Sequence, residues 1–364
     1  MIDRLKKSIA SWKRRLSCEF FQRNLLLSLS AGHALSPVGV GFPLVDEDNS
    51  RVKGLLVVAH PDDESECAAF VYRITHELGG IVDQVVVTNG EGGNEYSAPA
   101  QAYYRSSLDE ETWRRQLGRI RRRELVEAGR ILGIRNHYFL DQTDSGLTLE
   151  SDDGFRAWNT KWVRRELFWL LQSEKYNLVI LLLPTIETHG HHKTVALLTL
   201  DAIKDLDAEH RPAALGARTL GVEEARPEAF AGLDGYPLTR TTKPEPIWVF
   251  NRRTPMNCHR ALDYSIISNW VIAEHKSQGA FQMEFGRRTH ECLWLFAACG
   301  ESGAAQWREF IASFEPGRED IGRYPARVLR PFDGRKPREV QSIESARRNH
   351  DNANSTHGGH TRPV

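Results

Sequence analysis

Gly54-Leu55-Leu56-Val57-Val58-Ala59, followed at once by His60-Pro61-Asp62-Asp63-Glu64, is the stretch that decides the fold. A short continuous apolar run of this kind marks a strand buried on both faces, as in parallel sheets. Helical spacing takes over at Glu64 and runs to Leu78, where Gly79-Gly80 supplies a C-terminal stop. A histidine and two carboxylates therefore sit where a buried strand opens into a helix. In doubly wound sheets ligands bind at these carboxyl ends of strands.

Outward from that unit the alternation continues. Val82–Thr88 is a second β-branched run, and Ala100–Leu132 is charged, helical and closed by Gly133. His137–Leu140 reads as a short strand, Phe155–Leu171 as a helix, Leu178–Leu183 as another buried strand and Val195–Ile203 as a helix. Pro246–Asn251 returns as a strand and Tyr264–Lys276 as a helix. Strands alternating with helices predict an α/β fold, a Rossmann-like, doubly wound, mainly parallel sheet with helices on both faces. Asp205–Pro244, rich in Ala, Gly, Pro and Arg without periodicity, reads as an irregular excursion within a domain spanning 51–330. From about Gly334 the composition turns to Arg, Asn, Ser, His and Gly, so 331–364 is expected to be a disordered tail that cannot offset its own ordering entropy.

Lys plus Arg and Asp plus Glu both number 48, a balance that gives no reason to expect nucleic acid as a partner. The five cysteines are scattered and never form C-x-x-C, which argues for a reducing, cytoplasmic setting and against a cysteine-rich metal site. No apolar run reaches the 18 residues of a spanning helix. Residues 1–50 form an extension whose first turns place Leu5, Ile9, Trp12 and Leu16 at helical spacing beside Lys6, Lys7, Lys13, Arg14 and Arg15. A basic amphipathic helix of this kind either packs on the domain or makes peripheral contact with an anionic membrane through residues 1–30. Packing is the ordinary reading. A signal peptide ending near Ala34 fits less well, because Arg23 and Asn24 interrupt it.

His60 and Asp63 are three residues apart, a step that a tight turn folds onto one cation but that also occurs in simple helix caps. The second strand end strengthens the metal reading. Leu178–Leu183 stops at Pro184 and is followed by Thr185-Ile186-Glu187-Thr188-His189-Gly190-His191-His192. Three histidines in four residues are poor core material, since each buried imidazole needs a partner. Two imidazoles and one carboxylate with an open position suit catalytic zinc; a surface histidine-rich loop is the plain alternative. G-x-S-x-G is absent, and no covalent nucleophile is evident.

AHPDDE after a first strand, with H-x-x-H after a later one, resembles the LmbE-like or PIG-L de-N-acetylases. Arg121-x-x-Glu124-Leu125 with Ala128 and Leu132-Gly133, Asp144-Ser145-Gly146, and Ala273-x-His275-x-Ser277-Gln278 resemble further segments of that family, so the likeness covers about residues 53–300. The resemblance implies zinc (Zn2+) bound by His60, Asp63 and His192, with Asp62 as general base and His189 polarising the amide oxygen. It moves Arg121 and Asp144 to the substrate side, and the Thr88–Asn94 loop to the rim of the site. By spacing alone, Arg121 and Glu124 would be a surface ion pair, and His275 and Gln278 structural. The implied reaction is removal of an N-acetyl group from an amino sugar or its conjugate. A zinc amidase acting on a larger acyl group and a non-catalytic sugar-binding protein on the same fold are the rivals. The segment His189-Gly190-His191-His192 departs from the family's H-P-D-H, leaving open what orients the neighbouring imidazoles and whether His191 replaces His192 as ligand.

Overall fold

The computed structural model describes residues 52–104, 109–224, 226–256, 259–314 and 338–340. Strand β1 (Lys53–Val58) is buried from its second residue onward, as its apolar run requires. A 3-10 turn, Asp63–Cys67, leads into α1 (Ala68–Tyr72), which widens into a π-type turn at Arg73–Glu77. The single regular helix expected over 64–78 is thus three geometries in series. Thr75 contributes to the widening, because its hydroxyl bonds back to the carbonyls of Val71 and Tyr72.

β2 (Ile81–Thr88), α2 (Ala98–Tyr103), α3 (Glu110–Leu132) and β3 (Ile134–Gln142) follow. The Asp109 side chain caps α3 by accepting from Thr112 N–H at 3.0 Å, and Gly133 ends it at φ 70°, a left-handed conformation that glycine adopts without penalty. The helix expected over 155–171 is instead α4 (Asp153–Ala157) and α5 (Thr160–Glu174), separated because the Asn159 side chain starts a new helix by accepting from Trp162 N–H. Next come β4 (Leu178–Leu182), α6 (Gly190–Lys204), β5 (Ala213–Gly221), β6 (Trp248–Asn251) and the small pair β7 (Pro255–Met256) and β8 (His259–Asp263). The described chain closes with α7 (Ser265–Glu274), α8 (Gly279–Gln282), β9 (Arg288–Leu295), α9 (Gly300–Phe314) and β10 (Arg338–Val340).

The main sheet runs β10-β3-β2-β1-β4-β5-β9-β6. Every neighbouring pair is parallel except the two made by β9, which is antiparallel to β5 and β6. The doubly wound α/β expectation holds. Helices α1 and α3 pack with α7, and α5 packs with α6; with this strand order, the right-handed rule for parallel crossovers assigns α1 and α3 to one face and α5 and α6 to the other.

The structure departs from the sequence pattern at two strands in the second half of the sheet and at one short strand in the tail. The stretch 205–244 contains β5, a buried strand in the body of the sheet. It escapes a pattern reading because Ala213-Ala214-Leu215-Gly216-Ala217 has no β-branched residue. Small residues are needed there: a Cβ on Gly216 would lie 2.6 Å from Leu183 Cδ1 and 2.9 Å from the Phe296 ring. β9 likewise lacks a clear strand pattern, because its charged start disguises a buried second half. Within the expected tail, Arg338–Val340 pairs in parallel with β3, whose outer edge offers unpaired backbone groups. The N-terminal extension and the remainder of the tail lie outside the described residues. Among the described residues no helix is long and apolar enough to cross a membrane, and Cys67, Cys292 and Cys299 are buried free thiols.

Candidate active site

The chain winds outward in both directions from the neighbours β1 and β4, so the crevice beyond their carboxyl ends is the topological switch point. His60 follows β1 and the 189–192 segment follows β4, while the loops after β2 and β3 bring Gly92, Gly93 and Asp144 to the same crevice. The result is a cleft of about 480 Å³.

Asp63 is aimed by the backbone. Its Oδ2 accepts from Ala59 N–H at 3.0 Å and His60 N–H at 2.9 Å, leaving Oδ1 facing His192 Nε2 at 3.2 Å. His192 Nε2 in turn lies 3.0 Å from His60 Nδ1. Ligands held at zinc distances in a tetrahedron stand about 3.3 Å apart, so two imidazole nitrogens and one carboxylate oxygen have the chemistry and spacing to hold that ion. Burial opposes the ionisation of Asp63, yet His192 and His60 beside it hold its carboxyl well below the usual range. A second group of donors, His60, His189 and His191, also converges.

Asp62 stands beside the donor set without belonging to it. Its φ is 111°, a left-handed conformation costly for a residue with a Cβ, and strain of this kind gathers at functional sites. The surroundings hold it there. Its N–H donates to Glu64 Oε2 at 3.1 Å, and Glu64 Oε1 is paired with the fully buried His275 at 2.5 Å. Its Oδ2 accepts from Arg121 Nη2 at 2.9 Å. Burial lifts the Asp62 carboxyl to about 6 against the opposing charge of Arg121.

His189 is pinned at both ring nitrogens. Its Nδ1 accepts from His191 N–H at 3.0 Å, which leaves Nε2 as the donor to Gly146 O at 3.0 Å. Burial, reinforced by the neighbouring histidines, pulls its pKa down to about 3, so it is a neutral donor. An imidazolium at this position, the form in which it would best stabilise an oxyanion, is disfavoured. His191 is fully buried and faces away from the Asp63 side, with Nδ1 3.0 Å from His60 Nε2. The ligand alternatives left open by the sequence therefore divide by geometry: His192 faces Asp63, and His191 faces the far side of the His60 ring.

The other expected residues are brought to the cleft, some for reasons the sequence hid. Arg121 and Glu124 do not pair at the surface; both are buried. Arg121 spends its terminal nitrogens on Gly90 O, Pro61 O and Asp62, whereas Glu124 accepts from Ser277 N–H and Oγ–H. Asp144 is held by Gly92 N–H and Gly146 N–H, both at 3.0 Å, so its oxygens are tied to backbone as well as facing the cleft. The 88–94 loop forms the rim, and Gln278 lines it too. Ser145, Asp153 and Trp158, which surround His191, carried no signal in the sequence beyond the short Asp144-Ser145-Gly146 match.

Residues 55–203 match the family model PIG-L, described as GlcNAc-PI de-N-acetylase. No curated protein matches the chain. Among solved structures, N,N'-diacetylchitobiose deacetylase from Pyrococcus horikoshii is 18% identical, covering 71% of this chain and 88% of that one at a TM-score of 0.41. The 4-carboxy-2-hydroxymuconate hydratase from Pseudomonas putida is 14% identical, covering 67% and 95% at 0.44. A deacetylase of the teicoplanin biosynthesis pathway is also 14% identical, covering 67% and 98% at 0.43. The stretch that resembles the PIG-L model, residues 55–203, holds the converging His60, Asp62, Asp63, His189 and His192.

Proposed function

We propose that this chain is a zinc-dependent N-deacetylase that hydrolyses the acetamido group of an amino sugar or its conjugate. The observation that carries the reading is the presence, in one cleft, of a three-donor metal set and, on the adjacent residue, a carboxylate that is no part of that set and is held in place by Arg121. The match of residues 55–203 to a de-N-acetylase family model agrees with it. Zinc in such a set supplies Lewis-acid charge and lowers the pKa of water toward ~7.

The residues divide the remaining work. Asp62 takes the proton of the attacking water and returns it to the leaving nitrogen as the carbon–nitrogen bond breaks, giving acetate and a free amine. Arg121 fixes the direction of that carboxylate. His189 Nε2–H, now on Gly146 O, is the neutral donor that turns to the developing oxyanion. Tyr96, Leu147, Ile272 and Phe281 give the cleft apolar walls suited to the ring faces of a sugar or to its aglycone. Peripheral membrane contact through residues 1–30 remains part of the proposal only as a way of presenting such a conjugate.

The test is acetate release by zinc-loaded protein across N-acetylglucosaminyl glycosides, lipids and nucleotide sugars. Acetate and free amine should appear in equal amounts. Faster release of a longer acyl group would favour the amidase reading. Absence of any release by fully loaded protein would leave a binding protein.

A further inference from the structure

The imidazole of His60 presents opposite edges to two different neighbours. Nδ1 faces His192 and Asp63, the metal side; Nε2 lies 3.0 Å from His191 Nδ1. His191 Nε2 in turn lies 2.9 Å from Asp153 Oδ2 and 2.8 Å from Ser145 Oγ, and Ser145 donates its own hydroxyl hydrogen to Asp153. The carboxylate accepts only, so the proton directions follow. His191 Nε2–H donates to Asp153, His191 Nδ1 is left as an acceptor, and His60 Nε2–H donates to it. The lone pair of His60 is then forced onto Nδ1, the edge facing Asp63 and His192.

We propose that Asp153 and His191 form a positioning relay that sets the tautomer and orientation of His60 as a metal ligand. A carboxylate acting through one imidazole on another extends the familiar carboxylate–histidine–metal arrangement by one ring. The inference rests on the zinc reading of the site but not on the reaction assigned to it.

Local backbone packing supports the relay. Gly190 N–H donates to Thr148 O at 2.7 Å, and a Cβ at Gly190 would lie 2.1 Å from Glu150 O. No larger residue lets the 148–150 backbone come so close to the first turn of α6, and proline would also lack the N–H. That approach ties the segment leading to Asp153 against the turn that carries His191. The Trp158 ring packs on the His191 ring at 4.9 Å between centroids, and its Nε1–H is held by Thr143 O. Gly190 and His191, the two departures from H-P-D-H, are thus parts of one device. An acid from another segment reaches the metal ligand through the histidine.

The test measures zinc affinity of the full chain by chelator competition, with the absorption spectrum of the cobalt-loaded protein as a second readout. His191→Ala should weaken zinc binding about 10- to 100-fold, the usual effect of removing a ligand's hydrogen-bond partner, and should alter the cobalt bands. Asp153→Asn, a near-isosteric change at a partly exposed position, should shift affinity in the same direction. The double variant should be no weaker than His191→Ala alone, since both act through one path. Metal-free melting temperatures identify any variant that has merely lost its fold.

Unchanged affinity and spectrum in Asp153→Asn would overturn the relay, as would additive losses in the double variant. Complete loss of metal in His191→Ala with retention in His192→Ala would also overturn it, by making His191 a ligand. Failure of the deacetylase reading looks different: zinc-loaded protein releases no acetate, while the affinity series still behaves as stated.

Discussion

Arg121 Nη2 lies 2.9 Å from Asp62 Oδ2 and 2.6 Å from the carbonyl of Pro61, so one nitrogen holds both the proposed base and the backbone leading into it. Nη1 of the same guanidinium donates to Gly90 O at 2.6 Å. The left-handed Asp62 is therefore braced from α3 by Arg121 and from the following turn by Glu64, itself held by His275 at the end of α7.

Asp62→Asn should keep bound zinc and lose on the order of 10²–10⁴ in turnover, the usual worth of a positioned base. Arg121→Lys should also keep zinc. A single ammonium cannot serve three acceptors with the fork geometry of a guanidinium, so turnover should fall roughly 10- to 100-fold through misplacement of Asp62. Metal content and single-turnover rates measured on the same preparations check both; near-normal turnover in Asp62→Asn removes it from the mechanism.

His60→Ala and His192→Ala should each lose the bound ion, measured as zinc per chain after dialysis. His189→Ala should retain it and lose turnover instead, because His189 is committed to Gly146 O and His191 N–H. The reverse pattern, with metal lost in His189→Ala and kept in His192→Ala, would move the ion to the His60, His189 and His191 group.

What could be read from the sequence was short-range. The apolar run ending at Ala59 marks β1, and the three-residue steps His60–Asp63 and His189–His192 stay together because each lies within a single turn. Arg121 was drawn to Glu124 by helical spacing, yet the fold turns it to Asp62, 59 residues away, and gives Glu124 to Ser277. Asp153 is 38 residues from His191 and meets it only because Gly190 admits a close backbone approach, which no local spacing encodes. The strand at Ala213–Gly221 was hidden for a related reason: its small residues answer the bulk of Leu183 and Phe296 rather than any strand propensity.

Gly90 and Gly79 separate backbone strain from damage to the site. Both are left-handed, at φ +71° and +67°. A Cβ at Gly90 would lie 2.3 Å from Arg121 Nη1, whereas nothing lies within 4 Å of one at Gly79. Each alanine variant should lose about 1–2 kcal/mol of stability from the left-handed backbone. Only Gly90→Ala should also lose turnover, by displacing the guanidinium that holds Asp62. Melting temperature and turnover measured on the pair check this; equal activity in the two variants would show that Arg121 is not needed where it stands.

Acid stability should depend on a histidine that is not among the metal donors. His137 on β3 is fully buried, pairs in register with Gln84 on β2, and has no hydrogen-bond partner at either ring nitrogen. Helix α3 closes over it, since a Cβ on Gly129 would lie 2.3 Å from the ring. Burial alone pulls its pKa down to about 3, against an ordinary value near 6.5. Below the ordinary value the unfolded chain binds a proton that the native chain refuses, so stability falls as pH drops and the loss continues until the native pKa is reached. Between pH 6.5 and 4.5 this one residue should cost about 2 kcal/mol. His137→Phe keeps a ring in the space and removes the proton site, so its loss of unfolding free energy over that interval should be smaller by about that amount. His76, lowered to about 4 by burial, supplies a similar slope that both proteins share. Denaturant titrations of metal-free protein at pH 6.5 and 4.5 make the comparison; parallel losses in wild type and variant would mean that His137 is solvated or protonated in the native state.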